Sequence, residues 1–182
     1  MRYLALPRGI NVSGSNMIKM TELKAALETL GFENVVTYIN SGNVAFDVSG
    51  PHVSKGLALE KELIGEISPI LEKLAGKPIS VMVREQIELT RIIQNNPFAG
   101  QFESHKEMHV LFLNDNVTKE ANAFLAENVP PPERFAVHGR EIYCHLPMGV
   151  ADSYLGRGTF ERKLKIAVTA RNWRTVEKLA TL

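Results

Sequence analysis

At 182 residues, with 45% hydrophobic and 23% charged side chains, the chain carries enough apolar material for a buried core and too much for a disordered one. Lysine plus arginine (21) balances aspartate plus glutamate (20), which excludes a whole-molecule field that would draw it onto nucleic acid or membrane. Cys144 is the single cysteine, so no internal disulfide forms.

No apolar run approaches the ~20 residues of a membrane span, and the opening MRYLALPRG is too short for a signal peptide. A soluble cytoplasmic protein is expected. The charge is unevenly spread. Residues 157–182 hold seven basic side chains (Arg157, Arg162, Lys163, Lys165, Arg171, Arg174, Lys178) against Glu161 and Glu177. Such an end is a solvated helical face or an anion-facing one.

Tyr3–Leu6 reads as a strand. RGINVSGSN follows at residues 8–16, where Gly9 and Gly14 stand five apart as in a phosphate loop. That loop needs a lysine and then a hydroxyl after its second glycine. Ser15 and Asn16 stand there instead, so nucleotide hydrolysis is not expected and the stretch reads first as a turn. Backbone amides with Arg8 and Asn11 would still form a weak anion or polar-ligand site. TELKAALETLG places Leu23, Ala26, Leu27 and Leu30 at helical spacing, with Thr21 as expected N-cap and Gly31 as stop; that start lies too far from the loop to aim its dipole at a ligand.

VVTYI and VAFDV around Asn40-Ser41-Gly42-Asn43 predict a hairpin. An amphipathic helix is expected from about His52 to Ala75, with a kink or a restart at Pro69, and PISVMVR gives the next strand. The order strand, helix, strand, strand, helix, strand is that of the ferredoxin-like βαββαβ unit.

The second half repeats the order. HVLFL is a strand, TKEANAFLAENV a helix, and RFAVH with EIYCHL a hairpin across Gly139-Arg140. SYLGRGTFERKLK is a helix or broken helix, and KIAVTA a last short strand. ISVMVREQIELTRII and IAVTARNWRTVEKLA each run from strand through arginine to helix, which puts Arg84 and Arg171 at the same place in two copies. The expected architecture is α+β: a tandem duplication of a ferredoxin-like unit, each followed by an extra helix. The first unit covers 1–94, a linker 95–108, and the second unit 109–182.

Few residues signal chemistry. Cys144 alternates with Ile142 and Leu146 and reads as core. His105, Glu107 and His109 alternate, but no further ligand cluster accompanies them, so no metal and no cofactor is expected. Ser41 and Asn43 fit hairpin-turn chemistry, and Asn172 fits an N-cap for the last helix. Arg171 stands just before that helix, where the dipole is already positive, and calls for a carboxylate, a carbonyl or a bound anion.

RGIN, the SGNV hairpin, NNPF, GREIY and TARNWRTVEKL together resemble, along the whole chain, the mostly bacterial family called domain of unknown function 1697. Relatives often carry Gly-Gly-Lys-Asn where this chain has Ser13-Gly14-Ser15-Asn16, and a Gly-Arg-Ser-like stretch at Ala151-Asp152-Ser153. Both departures remove a basic residue. The resemblance implies an α+β fold and supplies no catalytic residues.

The function expected is a non-catalytic or as yet unassigned cytoplasmic module binding a small anionic or polar ligand between its halves, through Arg8, Asn11, Ser41, Asn43, Arg171 and Asn172. The rivals are an enzyme acting on a phosphate-bearing metabolite at the same cleft, and a protein-interaction or nucleic-acid-backbone role for the basic C-terminal face. Base stacking is not expected, because NVAFDV and Tyr3 do not supply the aromatic pattern of an RNA-recognition module.

Overall fold

The computed structural model describes residues 1–12, 14, 16–50 and 54–182, so Ser13, Ser15 and the helix start expected at His52 lie outside the described residues. The chain divides into two units, Met1–Arg91 with Leu179–Leu182, and Ile92–Lys178. Among the described residues the fold is mixed α+β, with two four-stranded antiparallel sheets and six helices.

The first unit runs β1 (Arg2–Pro7), α1 (Met20–Thr29), β2 (Glu33–Tyr38), β3 (Asn43–Asp47), α2 (Leu57–Ala75), β4 (Val81–Glu85), and then α3 (Gln86–Gln94), whose last turn lies in the second unit. Its sheet has the order β2-β3-β1-β4. Strand alternation sends Tyr3, Ala5, Val44, Phe46, Val81 and Val83 into one cluster with Leu23 and Leu27 of α1 and Leu59, Leu63, Ile67 and Leu71 of α2. On the other face, Leu4 lies opposite Ala45 and Arg84, and all three are buried. The last residues are held on this unit by side chains. Arg2 Nε donates to Leu182 O (2.6 Å), and Gln86 Nε2 donates to Leu179 O (3.1 Å) and Leu182 O (2.6 Å).

The second unit runs β5 (Met108–Phe112), α4 (Lys119–Asn128), β6 (Arg134–His138), β7 (Glu141–His145), α5 (Thr159–Leu164), β8 (Thr169–Asn172) and α6 (Trp173–Leu179). Its strand order, β6-β7-β5-β8, repeats that of the first sheet. Leu111, Ile142 and Cys144 pack with Leu125 of α4 and Phe160 of α5. No helix among the described residues is long and apolar enough to cross a membrane.

Three local expectations are corrected. Helix α1 begins at Met20, with extended backbone at Lys19 and no side-chain cap, so Thr21 lies inside the first turn and caps nothing. Pro69 sits within α2 without ending it. The residue four before it is Gly65, and the buried positions Leu59 to Leu71 on both sides of the proline share one cluster, so packing carries the helix through. SYLGRG is not helical; only Thr159–Leu164 is. A Cβ on Gly156 would fall 1.9 Å from Val150 O, and Gly158 is left-handed (φ 64°), so the chain turns tightly there before the helix starts.

Candidate functional site

The RGIN loop and the SGN hairpin, distant in sequence, build one corner of the first unit. Asn11, itself left-handed (φ 54°), joins them. Its Nδ2 donates to Ile18 O (2.8 Å) and Asn40 O (2.7 Å), and its Oδ1 accepts from the Ile18 N–H (2.8 Å). One carboxamide thus closes the loop on itself and ties it to the hairpin. Asn is suited to this position because a short polar side chain tolerates the left-handed region. Asn16 (φ 52°) makes the second closure, donating from Nδ2 to Gly9 O (2.8 Å). Beneath them Ile10 is fully buried against Gly42.

In the hairpin, Asn43 Nδ2 donates to Tyr38 O (3.1 Å) and to Ser41 Oγ (3.0 Å). Asn43 is fully buried, so its amide is spent on turn chemistry. Arg8 is exposed just past β1, and its backbone N–H donates to Ser80 O (2.8 Å). A cleft of about 460 Å³ opens on this corner, lined by Asn11, Asn40, Met17, Ile18 and the start of α1 at Lys19, Met20 and Glu22. The helix start therefore forms a wall of the cleft beside Asn11, contrary to the expectation that it lay too far away. Lys19 Nζ and Glu22 Oε1 pair at 2.9 Å on the rim, and that hydrogen bond raises the lysine pKa.

Arg171 and Asn172 belong to the second unit, whereas Arg8, Asn11, Ser41 and Asn43 belong to the first. Asn172 Oδ1 accepts from the Thr175 N–H (2.9 Å), the bond expected of an N-cap. Arg171 lies on β8 opposite Val110 and is buried. Its Nη1 donates to Thr169 Oγ1 (2.7 Å) and Ala170 O (2.8 Å), and burial pushes its pKa down to about 10. Of the cleft lining only Asn11 was singled out in the sequence; Met17, Ile18, Lys19, Met20, Glu22 and Asn40 were missed. The available signal was a lysine directly before the helical run MTELKAAL.

The alternating trio separates. His105 Nε2 meets Glu177 Oε2 at 3.1 Å, Glu107 Oε2 stands 3.7 Å from His145 Nε2, and His109 is buried. Among the described residues no cluster of three or more His, Cys, Asp or Glu is placed to hold a metal ion. Tyr3 and Phe46 stack on each other (centroids 6.4 Å apart) and are fully buried, so neither is presented to a base. Cys144 is fully buried and burial pushes its thiol pKa up, which removes it as a nucleophile.

His109 carries a pH prediction. Its Nδ1 is buried with no hydrogen-bond partner, and burial lowers its pKa from the ordinary 6.5. Above that value folded and unfolded chains are both neutral at this site. As pH falls through it, the unfolded chain takes up a proton that the folded chain resists, so stability declines by up to about 1.4 kcal/mol per pH unit. In urea titrations between pH 7.5 and 5, His109→Gln is expected to lose stability less steeply than wild type. Parallel slopes would refute the assignment.

The sequence profile described as "Protein of unknown function (DUF1697)" matches residues 1–143. The solved structure of the conserved bacterial protein SP0830 from Streptococcus pneumoniae is similar over 98% of this chain and 96% of that one, with a TM-score of 0.71 and 24% identity, a likeness of fold. No curated protein matches the chain.

Proposed function

Because the chain belongs to the family Protein of unknown function (DUF1697), which brings no assigned reaction, we propose a function from the geometry: it binds a small anionic or polar ligand in the cleft at the loop–hairpin corner of the first unit. The observation that carries this reading is the placement of Asn11. Its amide braces the cleft wall formed by Ile18 and Asn40, and the side-chain-uncapped start of α1 with Lys19 forms the neighbouring wall. Helix-start amides and an ammonium both favour an anionic group. Arg8 stands at the head of the same loop, and Ser41 and Asn43 shape the turn behind it.

The titratable groups of the described lining, Lys19 and Glu22, are paired with each other at 2.9 Å on the rim, an arrangement we read as serving binding. Of the seven basic C-terminal side chains Arg171 is interior, while Arg157, Arg162, Lys163, Lys165, Arg174 and Lys178 are exposed, so a backbone or protein contact through that face remains the second reading.

We further infer that the two units, about 1–94 and 109–182 joined by 95–108, are copies of one ferredoxin-like ancestor, each with an added helix. The shared strand order supports this. So do the two arginines: Arg84 and Arg171 each precede a helix by two residues, are buried, and donate from Nη1 to the carbonyl of the preceding residue at 2.8 Å. The lone buried Cys144 fits a reducing compartment, the cytoplasm.

Thermal shift with inorganic phosphate, nucleotides, sugar phosphates and small carboxylates tests the ligand. At least one class is expected to raise the midpoint by a few degrees at millimolar concentration, in line with mass action. Lys19→Glu should weaken that ligand about tenfold, the loss of one charge-assisted contact. The Lys19 side chain is 78% exposed, so the substitution leaves the unliganded midpoint alone. Silence across the panel, or equal binding by Lys19→Glu, refutes the reading.

A further inference from the structure

Within the second unit, a group of side chains around Arg134 fastens the stretch from Asn95 to Glu107 to the edge of the sheet. Phe98 is buried beside the His145 ring (centroids 5.9 Å apart), and the Arg134 guanidinium lies over Phe98 at 5.0 Å. Arg134 Nη1 donates to Gln101 Oε1 (2.8 Å), and Nη2 contacts His145 Nδ1 (2.8 Å). A guanidinium can only donate, so His145 Nδ1 must accept. The imidazole in this arrangement is neutral and carries its proton on Nε2. That nitrogen is buried without a hydrogen-bond partner, and Glu107 Oε2 waits 3.7 Å away, beyond bonding length. The charged groups facing the ring are thus Arg134 from β6 and Glu107 from the segment leading into β5.

We propose that the Arg134–His145 contact is an acid-opened latch on residues 95–107. A proton on His145 turns Nδ1 from acceptor into donor, so two donors and two positive charges face each other where one hydrogen bond stood. Nε2 simultaneously becomes a charged donor toward Glu107, whose Oε2 otherwise accepts from the Glu103 N–H (3.3 Å). Arg134 then swings off Phe98 and releases Gln101. The open form holds one more proton than the closed form, so acid favours opening. The other tie behaves oppositely. His105 and Glu177, both about half exposed, attract more strongly once His105 is protonated, so the segment stays tied at His105 while residues 98–102, Phe102 included, come free.

The molecule carries its own reporter. Trp173, the single tryptophan, meets Phe102 of the segment edge-on at 6.1 Å. Between pH 8 and 5, Trp173 fluorescence of the full chain should show a one-proton transition. The amides of Phe98 and Glu103 should exchange about tenfold faster at the acid end after correction for intrinsic rates. In His145→Gln, whose side-chain oxygen accepts from Arg134 and never titrates, both signals should stay at their closed values. An unchanged wild type, or the same transition in His145→Gln, overturns the proposal. A ¹⁵N measurement on wild type decides independently of how the variant folds: at pH 8 the His145 proton must be on Nε2, and a proton on Nδ1 overturns the latch.

Discussion

Gly42→Ala is expected to destabilise the protein by about 3 kcal/mol, through two separable effects. Gly42 is left-handed (φ 83°), which costs an L-residue about 1–2 kcal/mol. The added Cβ would also stand 2.1 Å from Ile10 Cδ1 and 2.7 Å from Ile10 Cγ1, an overlap that the fully buried isoleucine relieves only by moving. Overpacking of that kind costs about 1–3 kcal/mol. Ile10→Ala separates the two. Made in the wild type it opens a cavity and costs about 2–5 kcal/mol, whereas in the Gly42→Ala background it also removes the overlap. A coupling above about 1 kcal/mol in the double-mutant cycle is therefore expected from urea unfolding. A Gly42→Ala midpoint within error of wild type would show that the hairpin does not bear on the loop. The ligand binding proposed for the cleft should weaken in parallel, because the same turn carries Asn40 into the cleft wall.

That coupling explains what could be read from residues alone and what could not. Turn and cap chemistry is local, so it was legible: the Asn43–Ser41 bond spans two positions and the Asn172–Thr175 bond three. Strand alternation placed Cys144 in the core, where it is fully buried, because a period of two leaves little choice once one face is buried. The Asn11–Asn40 bond was not legible, since its partners stand 29 residues apart and the acceptor is a backbone carbonyl that any residue supplies.

Lys19 failed as a signal for a related reason. A lysine before a helix reads as solvated surface until the loop that folds back beside it is known. Arg171 called for a carboxylate, a carbonyl or an anion, and the Ala170 carbonyl is one such partner at 2.8 Å; alternation with Thr169 on a short strand places the guanidinium in the interior. Thr21 and Thr118 offer the same side chain before a helical run, yet only Thr118 accepts from an amide three residues on, Ala121 N–H at 3.1 Å. The difference lies in where the extended backbone ends, which sequence alone marks only to within a few residues.

Glu133→Ala should be the other large loss, again about 3 kcal/mol or more. Glu133 is 6% exposed and lies just ahead of β6, and its two carboxylate oxygens accept from successive amides, Tyr154 N–H (2.5 Å) and Leu155 N–H (3.1 Å). It holds the start of the tight turn that Ser153 continues: Ser153 Oγ donates to Val150 O (2.9 Å) and accepts from the Gly156 N–H (2.8 Å). Truncation strands two amide donors away from water, at about 1–3 kcal/mol each. Glu133→Gln keeps one accepting oxygen but points an NH₂ at the second amide, so it should fall between wild type and alanine. Cys144 gives a direct readout, being the single thiol, fully buried, and close enough to Glu133 for the carboxylate to raise its pKa. Its labelling by a thiol reagent requires opening of the second core. A 3 kcal/mol loss corresponds to labelling faster by about two powers of ten when opening is in rapid equilibrium. Equal labelling rates in wild type and Glu133→Ala would mean that the 153–156 turn stands without its carboxylate.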